Sequence, residues 1–141
     1  HRYFFYLGAI FVGLLSYEVV RAMFWGAGAG QPFWQGNFEI HVGTLVLAVN
    51  VFLLAGYTFG CHSFRYLVGG KKRCFSCPNN PDNQGESSVS SRYSLWKRVT
   101  KLNVNHPTWA WYSLFMVAFA DFYVWMVSIG VWTDYTLLAV A

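Results

Sequence analysis

Charge is scarce in this chain of 141 residues: only 11% are Asp, Glu, Lys or Arg, and just six are acids. That is less than half of the roughly 25% usual in soluble domains. With 55% of residues hydrophobic and 21% aromatic, a water-soluble monomer of one-domain length could not cover its apolar surface. The same arithmetic excludes disorder, which needs low hydrophobicity and high net charge. The net charge of +4 comes from one stretch, because eight of the ten Lys and Arg lie between Arg65 and Lys101; this is one basic loop, and no nucleic-acid partner is expected. Cysteine is also sparse. Besides Cys61 there is the pair Cys74 and Cys77, and a lone CxxC lacks the four ligands of a closed zinc site unless Cys61 or a histidine completes it. Reduced thiols are the simpler reading. There is no phosphate-binding Walker loop, GxGxxG turn or nucleophile elbow, so soluble-type catalysis has no machinery here. What remains is a membrane protein.

Long apolar runs are what the chain does have. A bilayer core of ~30 Å takes about 20 helical residues at 1.5 Å each, and three segments are long enough. Tyr3 to Trp25 is interrupted late by Glu18 and Arg21, Ile40 to Phe64 has no Asp, Glu, Lys or Arg, and Pro107 to Trp132 has the single acid Asp121. Barrel strands would be ~10 residues of alternating character, which these are not. The expectation is an all-α transmembrane helix bundle forming a single domain over 1–141, with helices at about 2–25, 39–68 and 106–132. The loop of about 69–105 carries Lys71, Lys72, Arg73, Arg92, Lys97, Arg98 and Lys101, so the positive-inside rule makes it cytoplasmic. Trp25, Phe33 and Trp34 at the outer edge, and Trp96, Trp109 and Trp111 at the inner one, suit aromatic belts. The chain opens on His1 with no signal peptide in view, as expected of a sequence truncated at its start.

This topology sorts the histidines. His1, His62 and His106 fall near the cytoplasmic face and His41 at the outer one, about 31 Å from His62 at helical rise. Histidine at the edge of a span usually faces the bundle interior, and two on facing helices at one depth suit axial ligation of a haem iron. The plainer alternative is that each caps a helix at headgroup level; three converging on one face favour a cofactor, whereas His41 alone reads as an interfacial anchor. Asp121 lies deep in its span, where a charge costs a few kcal/mol. Asn50 is mid-span, and Glu18 and Arg21 are spaced for an intrahelical pair. Glu18, Asn50 and Asp121 either line a proton or water path or act as interhelical hydrogen-bond glue.

Four stretches together carry a family resemblance: HRYFFY at His1 to Tyr6, YTFGCHSFRYLVGG at Tyr57 to Gly70, WKRVTKLNVNH at Trp96 to His106, and ADFYVWMVSIG at Ala120 to Gly130. In order and spacing the chain resembles the membrane-anchor subunit of actinobacterial-type succinate dehydrogenase, a succinate:quinone oxidoreductase, over nearly its whole length. Members have five membrane helices, and this sequence looks like the last three. It departs from the pattern in the extra CFSCPNNPDNQGES and in Tyr66, which stands where relatives carry a second histidine.

The resemblance implies respiratory complex II of a bacterial cytoplasmic membrane. There an FAD-bearing flavoprotein oxidises succinate, an iron–sulfur subunit carries the electrons, and the anchor holds one or two b haems and reduces quinone, menaquinone in particular. It makes His62 the foremost haem ligand, with His106, His1 or a histidine from the absent helices opposite and Arg65 meeting a propionate. A second, outer haem would recruit His41. Ser63, Arg65 and Trp109 are the quinone-site candidates by depth. The basic loop would face the hydrophilic subunits or anionic lipid. Two other readings stay open: the anchor of a fumarate reductase or another b-type quinone oxidoreductase, and a haem-free transport or scaffold module.

Overall fold

The computed structural model describes residues 2–24, 38–69 and 86–140. In chain order the elements are α1 (Arg2–Met23), β1 (Phe38–His41), α2 (Val42–Phe59), α3 (His62–Val68), α4 (Glu86–Val104), α5 (His106–Ser128) and β2 (Thr136–Val140). Among the described residues, α1, α2 and α5 are the helices long and apolar enough to cross a membrane; at 1.5 Å per residue the 18 residues of α2 extend about 27 Å. α2 lies in the middle, packed against both α1 and α5.

The packing is that of a membrane protein. Many large apolar side chains face outward, among them Phe4, Phe52, Phe115 and Trp125, whereas several residues sealed between elements are small or polar: Thr44, Asn50, Thr58, Ser63, Ser113 and Ala120. Lipid removes the reward for burying hydrocarbon, so helix contacts rest on close backbone approach and van der Waals fit. Gly56 shows how close: a Cβ there would lie 2.6 Å from the Trp109 ring. On the other side of α2, a Cβ at Gly8 would come within 3.3 Å of Thr58, and Phe5 packs on Phe59 and Phe64 with centroids at 6.4 and 5.5 Å.

The second expected helix, 39–68, is not continuous. It begins as strand β1, runs as α2, breaks at Gly60 and Cys61 and resumes as α3. Cys61 is extended (φ −64°, ψ 141°). α4 and α5 close over the break: a Cβ at Gly60 would stand 3.3 Å from the Leu102 carbonyl oxygen and 3.4 Å from His106 Nδ1. The expected loop 69–105 likewise contains a helix, α4. It packs on α3 with Val99 buried and Trp96 and Asn103 half-buried, while Lys97, Arg98 and Lys101 are exposed. A turn at Asn105 leads into α5, which carries Pro107 in its first turn, where the missing N–H costs no helical bond.

The third helix stops at Ser128, short of the expected 132. Gly130 adopts φ +77°, and its N–H bonds to the Val127 carbonyl while that of Val131 bonds to Met126, both at 3.1 Å. These are the paired bonds of a Schellman C-cap, which glycine permits. The released chain forms β2, antiparallel to β1 with Phe38 opposite Val140 and Ile40 opposite Leu138. This two-stranded pair is an addition to the all-α expectation. It lies where α1 ends, α2 begins and α5 stops; the opposite end of the bundle carries α3 and α4.

Candidate functional site

At the end bearing α3 and α4, the broken helix brings together residues the sequence singled out. His62 is the first residue of α3 and is exposed, and Ser63 beside it is buried. Arg65, one turn on, sets its guanidinium carbon 4.7 Å from the centroid of the Trp96 ring of α4, a cation–π contact. His106 opens α5 and stacks on Tyr57 of α2, with ring centroids 4.7 Å apart and planes inclined by only 9°. The His62 and His106 side chains lie within electrostatic range of each other. Trp109, three residues on, fills the α2–α5 contact against Gly56 and Phe52.

At this end Arg65 Nε is sealed without a hydrogen-bond partner, whereas the His106 ring interacts with the backbone of Tyr57. Buried donors and acceptors are normally paired, and each orphan costs about 1–3 kcal/mol. A site with unspent hydrogen-bonding capacity next to an imidazole and a guanidinium suits an acceptor-bearing or anionic group. Cys61 is half-buried and free. Among the described residues, no group of three or more His, Cys, Asp or Glu is placed to hold a metal ion.

Not every expected site residue joins this cluster. His1, Cys74, Cys77, Lys71, Lys72, Arg73, Trp25, Phe33 and Trp34 lie outside the described residues. His41 sits at the other end, as expected, with its Nε2 3.6 Å from Glu39. It lines a cavity of 440 Å³ with Gly43, Thr44, Tyr123, Ser128 and Asp134. There Asp134 Oδ1 accepts from the Gly43 N–H at 2.9 Å and from the Tyr123 hydroxyl at 3.0 Å, and the Val42 N–H bonds to the Tyr135 carbonyl. These bonds satisfy N–H groups that the first turn of α2 leaves open. The intramembrane polar residues divide. Asn50 is buried with Oδ1 unpaired, whereas Glu18 and Asp121 are exposed on the outside of the three-helix unit. The ion pair their spacing allowed between Glu18 and Arg21 is not formed; among the described residues the short contact of this kind is His41 with Glu39.

Sequence reading missed Tyr57 and Asn103 at one end and Tyr123 and Asp134 at the other, and took Trp96 only as part of an aromatic belt. Each acts through a partner on another element, 43 positions away for Asn103 and Gly60 and 91 for Asp134 and Gly43. No local pattern marks such pairs.

No curated protein matches the chain. Among solved structures, it is similar to a chain of the Mycobacterium smegmatis Sdh1 complex in the apo form, at a TM-score of 0.73 and 33% sequence identity. The likeness covers 95% of this chain and 43% of that one, so the chain spans less than half the length of that relative. Residues 1–130 match the family described as actinobacterial succinate dehydrogenase subunit SdhC. With apolar spans, a polar histidine end and a matching backbone all in accord, the chain belongs to that family of integral membrane subunits.

Proposed function

We propose that this chain is the quinone-reducing anchor of a succinate:quinone oxidoreductase, taking electrons from an iron–sulfur subunit at its histidine end and delivering them to quinone, menaquinone in particular. The observation that carries the reading is the meeting of His62, Arg65 and His106 at one end of a chain of this family. The basic residues of α4 lie at the same end, so the positive-inside rule turns it to the cytoplasm of a bacterial inner membrane. There the iron–sulfur subunit and its FAD-bearing partner would dock. Arg65, Ser63 and Trp109 frame the quinone site in this reading: Arg65 offers hydrogen bonds to a quinone carbonyl, and Trp109 supplies an apolar wall.

Haem b is the proposed prosthetic group, and the donor chemistry present fits it. Imidazoles from α3 and α5 stand at the same end of the bundle, and Arg65 retains an unpaired buried Nε–H for a propionate. When bound, the haem supplies one-electron transfer between the iron–sulfur subunit and quinone. This chain's residues would hold and orient it. His62 is the foremost ligand because it opens α3 with Arg65 three residues on, the arrangement the family resemblance implies for a haem-bearing helix end. The opposite ligand is His106, His1 or a histidine from outside this chain. Close packing of Trp109 on Gly56 fills the space between α2 and α5. His41, paired with Glu39, would serve only a second, outer haem.

The test is a dithionite-reduced minus oxidised spectrum of the purified complex, with haem counted per chain as the pyridine haemochrome and quinone reduction followed with succinate as donor. A b-type α band with succinate-driven quinone reduction supports both parts. Quinone reduction without haem refutes the haem assignment and keeps the anchor. Absence of both leaves a transport or scaffold module. An anchor running as a fumarate reductase would show the same spectrum and oxidise quinol with fumarate.

A further inference from the structure

The two imidazoles at the histidine end hang from different pieces of chain, and one side-chain hydrogen bond ties those pieces together. Asn103 Nδ2 donates to the Gly60 carbonyl oxygen at 2.9 Å. Asn103 stands three residues before His106, and Gly60 two residues before His62. The bond therefore joins the α2–α3 break to the end of α4 just before the α4–α5 turn, with one imidazole just beyond each anchor point.

The contact sits where the helix ladder is interrupted. α2 ends with the Gly60 N–H bonded to the Gly56 carbonyl at 2.9 Å, and the Cys61 N–H bonds to Thr58 at 3.3 Å. The following residue is extended, so the helix ladder is interrupted and carbonyls beside the break need another donor. Gly60 is buried, and the Leu102 carbonyl and the His106 ring close over it. A break without an external tie could swivel about Gly60 and Cys61 and carry His62 and Arg65 with it.

We propose that Asn103 is a positioning residue for the redox site: by clamping the Gly60 carbonyl it fixes His62 and Arg65 relative to His106 and sets the geometry in which electrons leave for quinone. This rests on the proposed anchor function. Electron transfer and axial ligation both depend on placement within about 0.5 Å, and a clamp on the backbone between two ligand-bearing segments controls that placement without touching the group itself.

The experiment uses the complete complex purified from membranes with Asn103→Asp, Asn103→Ala and Asn103→Gln. The Asp variant keeps size and shape but sets a carboxylate oxygen against the Gly60 carbonyl, so the bond becomes a repulsion. Three quantities are measured: co-purification of the subunits, the optical and paramagnetic signature of the anchor's redox centre with its midpoint potential, and kcat and KM for a short-chain quinone. Expected are assembled Asp and Ala variants with an altered signature and potential, kcat lowered about tenfold and KM within twofold of the wild type, with partial recovery in the Gln variant, which retains the amide donor. Wild-type signature and kinetics in the Asp and Ala variants overturn the proposal. Failure of both to assemble while Gln assembles overturns it too, since that is a purely structural role. A wild-type anchor with no redox signature refutes the function on which the proposal rests, an outcome distinct from either.

Discussion

Gly56→Ala is the sharpest test of how the spans hold together. The added Cβ would lie 2.6, 2.8 and 2.9 Å from three atoms of the Trp109 ring, where carbon contacts prefer 3.5–4.0 Å. About 1 Å must be found. The indole cannot simply slide away, because the Phe52 ring stands against it at 6.0 Å between centroids in an edge-on arrangement. Either α2 and α5 move apart or the indole leaves its rotamer, and overpacking of this kind costs about 1–3 kcal/mol. Gly13→Ala is the matched control: it sits in α1 with nothing within 4 Å of its new methyl, and replacing glycine by alanine in an open helix position favours the helix by about 0.5–1 kcal/mol. Thermal unfolding of the detergent-solubilised protein should give a lowered midpoint for Gly56→Ala and an unchanged or raised one for Gly13→Ala. Equal midpoints would refute the claim that α2 and α5 are held at glycine distance.

Asp134→Asn removes the charge that accepts from the Gly43 N–H at the start of α2; the amides of Val42 to Thr44 should exchange with deuterium faster, measured by mass spectrometry, while those of α3 stay unchanged. Tyr123→Phe deletes one hydroxyl donor to the same carboxylate and should cost about 0.5–1.5 kcal/mol, seen as a smaller loss of midpoint than Gly56→Ala gives. Trp96→Leu keeps apolar bulk but removes the ring under Arg65, a contact worth about 0.5–2 kcal/mol; a raised KM for quinone is the expected result, and an unchanged KM would take Arg65 out of the quinone site. His62→Ala should lower the haem content of the purified complex, and unchanged stoichiometry would remove His62 from the ligands.

The spans were legible because hydropathy and length act locally: a run without Asp, Glu, Lys or Arg from Ile40 to Phe64 can be read one residue at a time. The sorting of His62 and His106 to one end and His41 to the other followed from the same runs, since depth in a bilayer is fixed by position along a helix. The break at Gly60 was hidden. Nothing in Phe59-Gly60-Cys61-His62 demands it, because a single glycine in a membrane helix is commonplace; the groups that close over it, the Leu102 carbonyl and His106, come from α4 and α5 about 40 positions on. The β1–β2 pair was hidden for the same reason, its partners being about a hundred positions apart.

α2 carries no formal charge, and along its length it meets its neighbours through packing contacts, the fit of Gly56 to Trp109 and of Thr58 to Gly8 and the rings of Tyr57 on His106 and Phe59 on Phe5. Its termini add hydrogen bonds. At one end the N–H groups of Val42 and Gly43 are taken by Tyr135 and Asp134; at the other the Gly60 carbonyl is taken by Asn103. All three partners come from the chain that leads into or out of α5. Helix ends leave backbone groups without intrahelical partners, so these bonds are directional and specific in register, which apolar packing in lipid is not. α2 and α5 are thereby fixed in depth relative to each other at both ends. A slip of one turn, about 5.4 Å, would break all three bonds at once, and that is the same displacement that would separate His62 from His106.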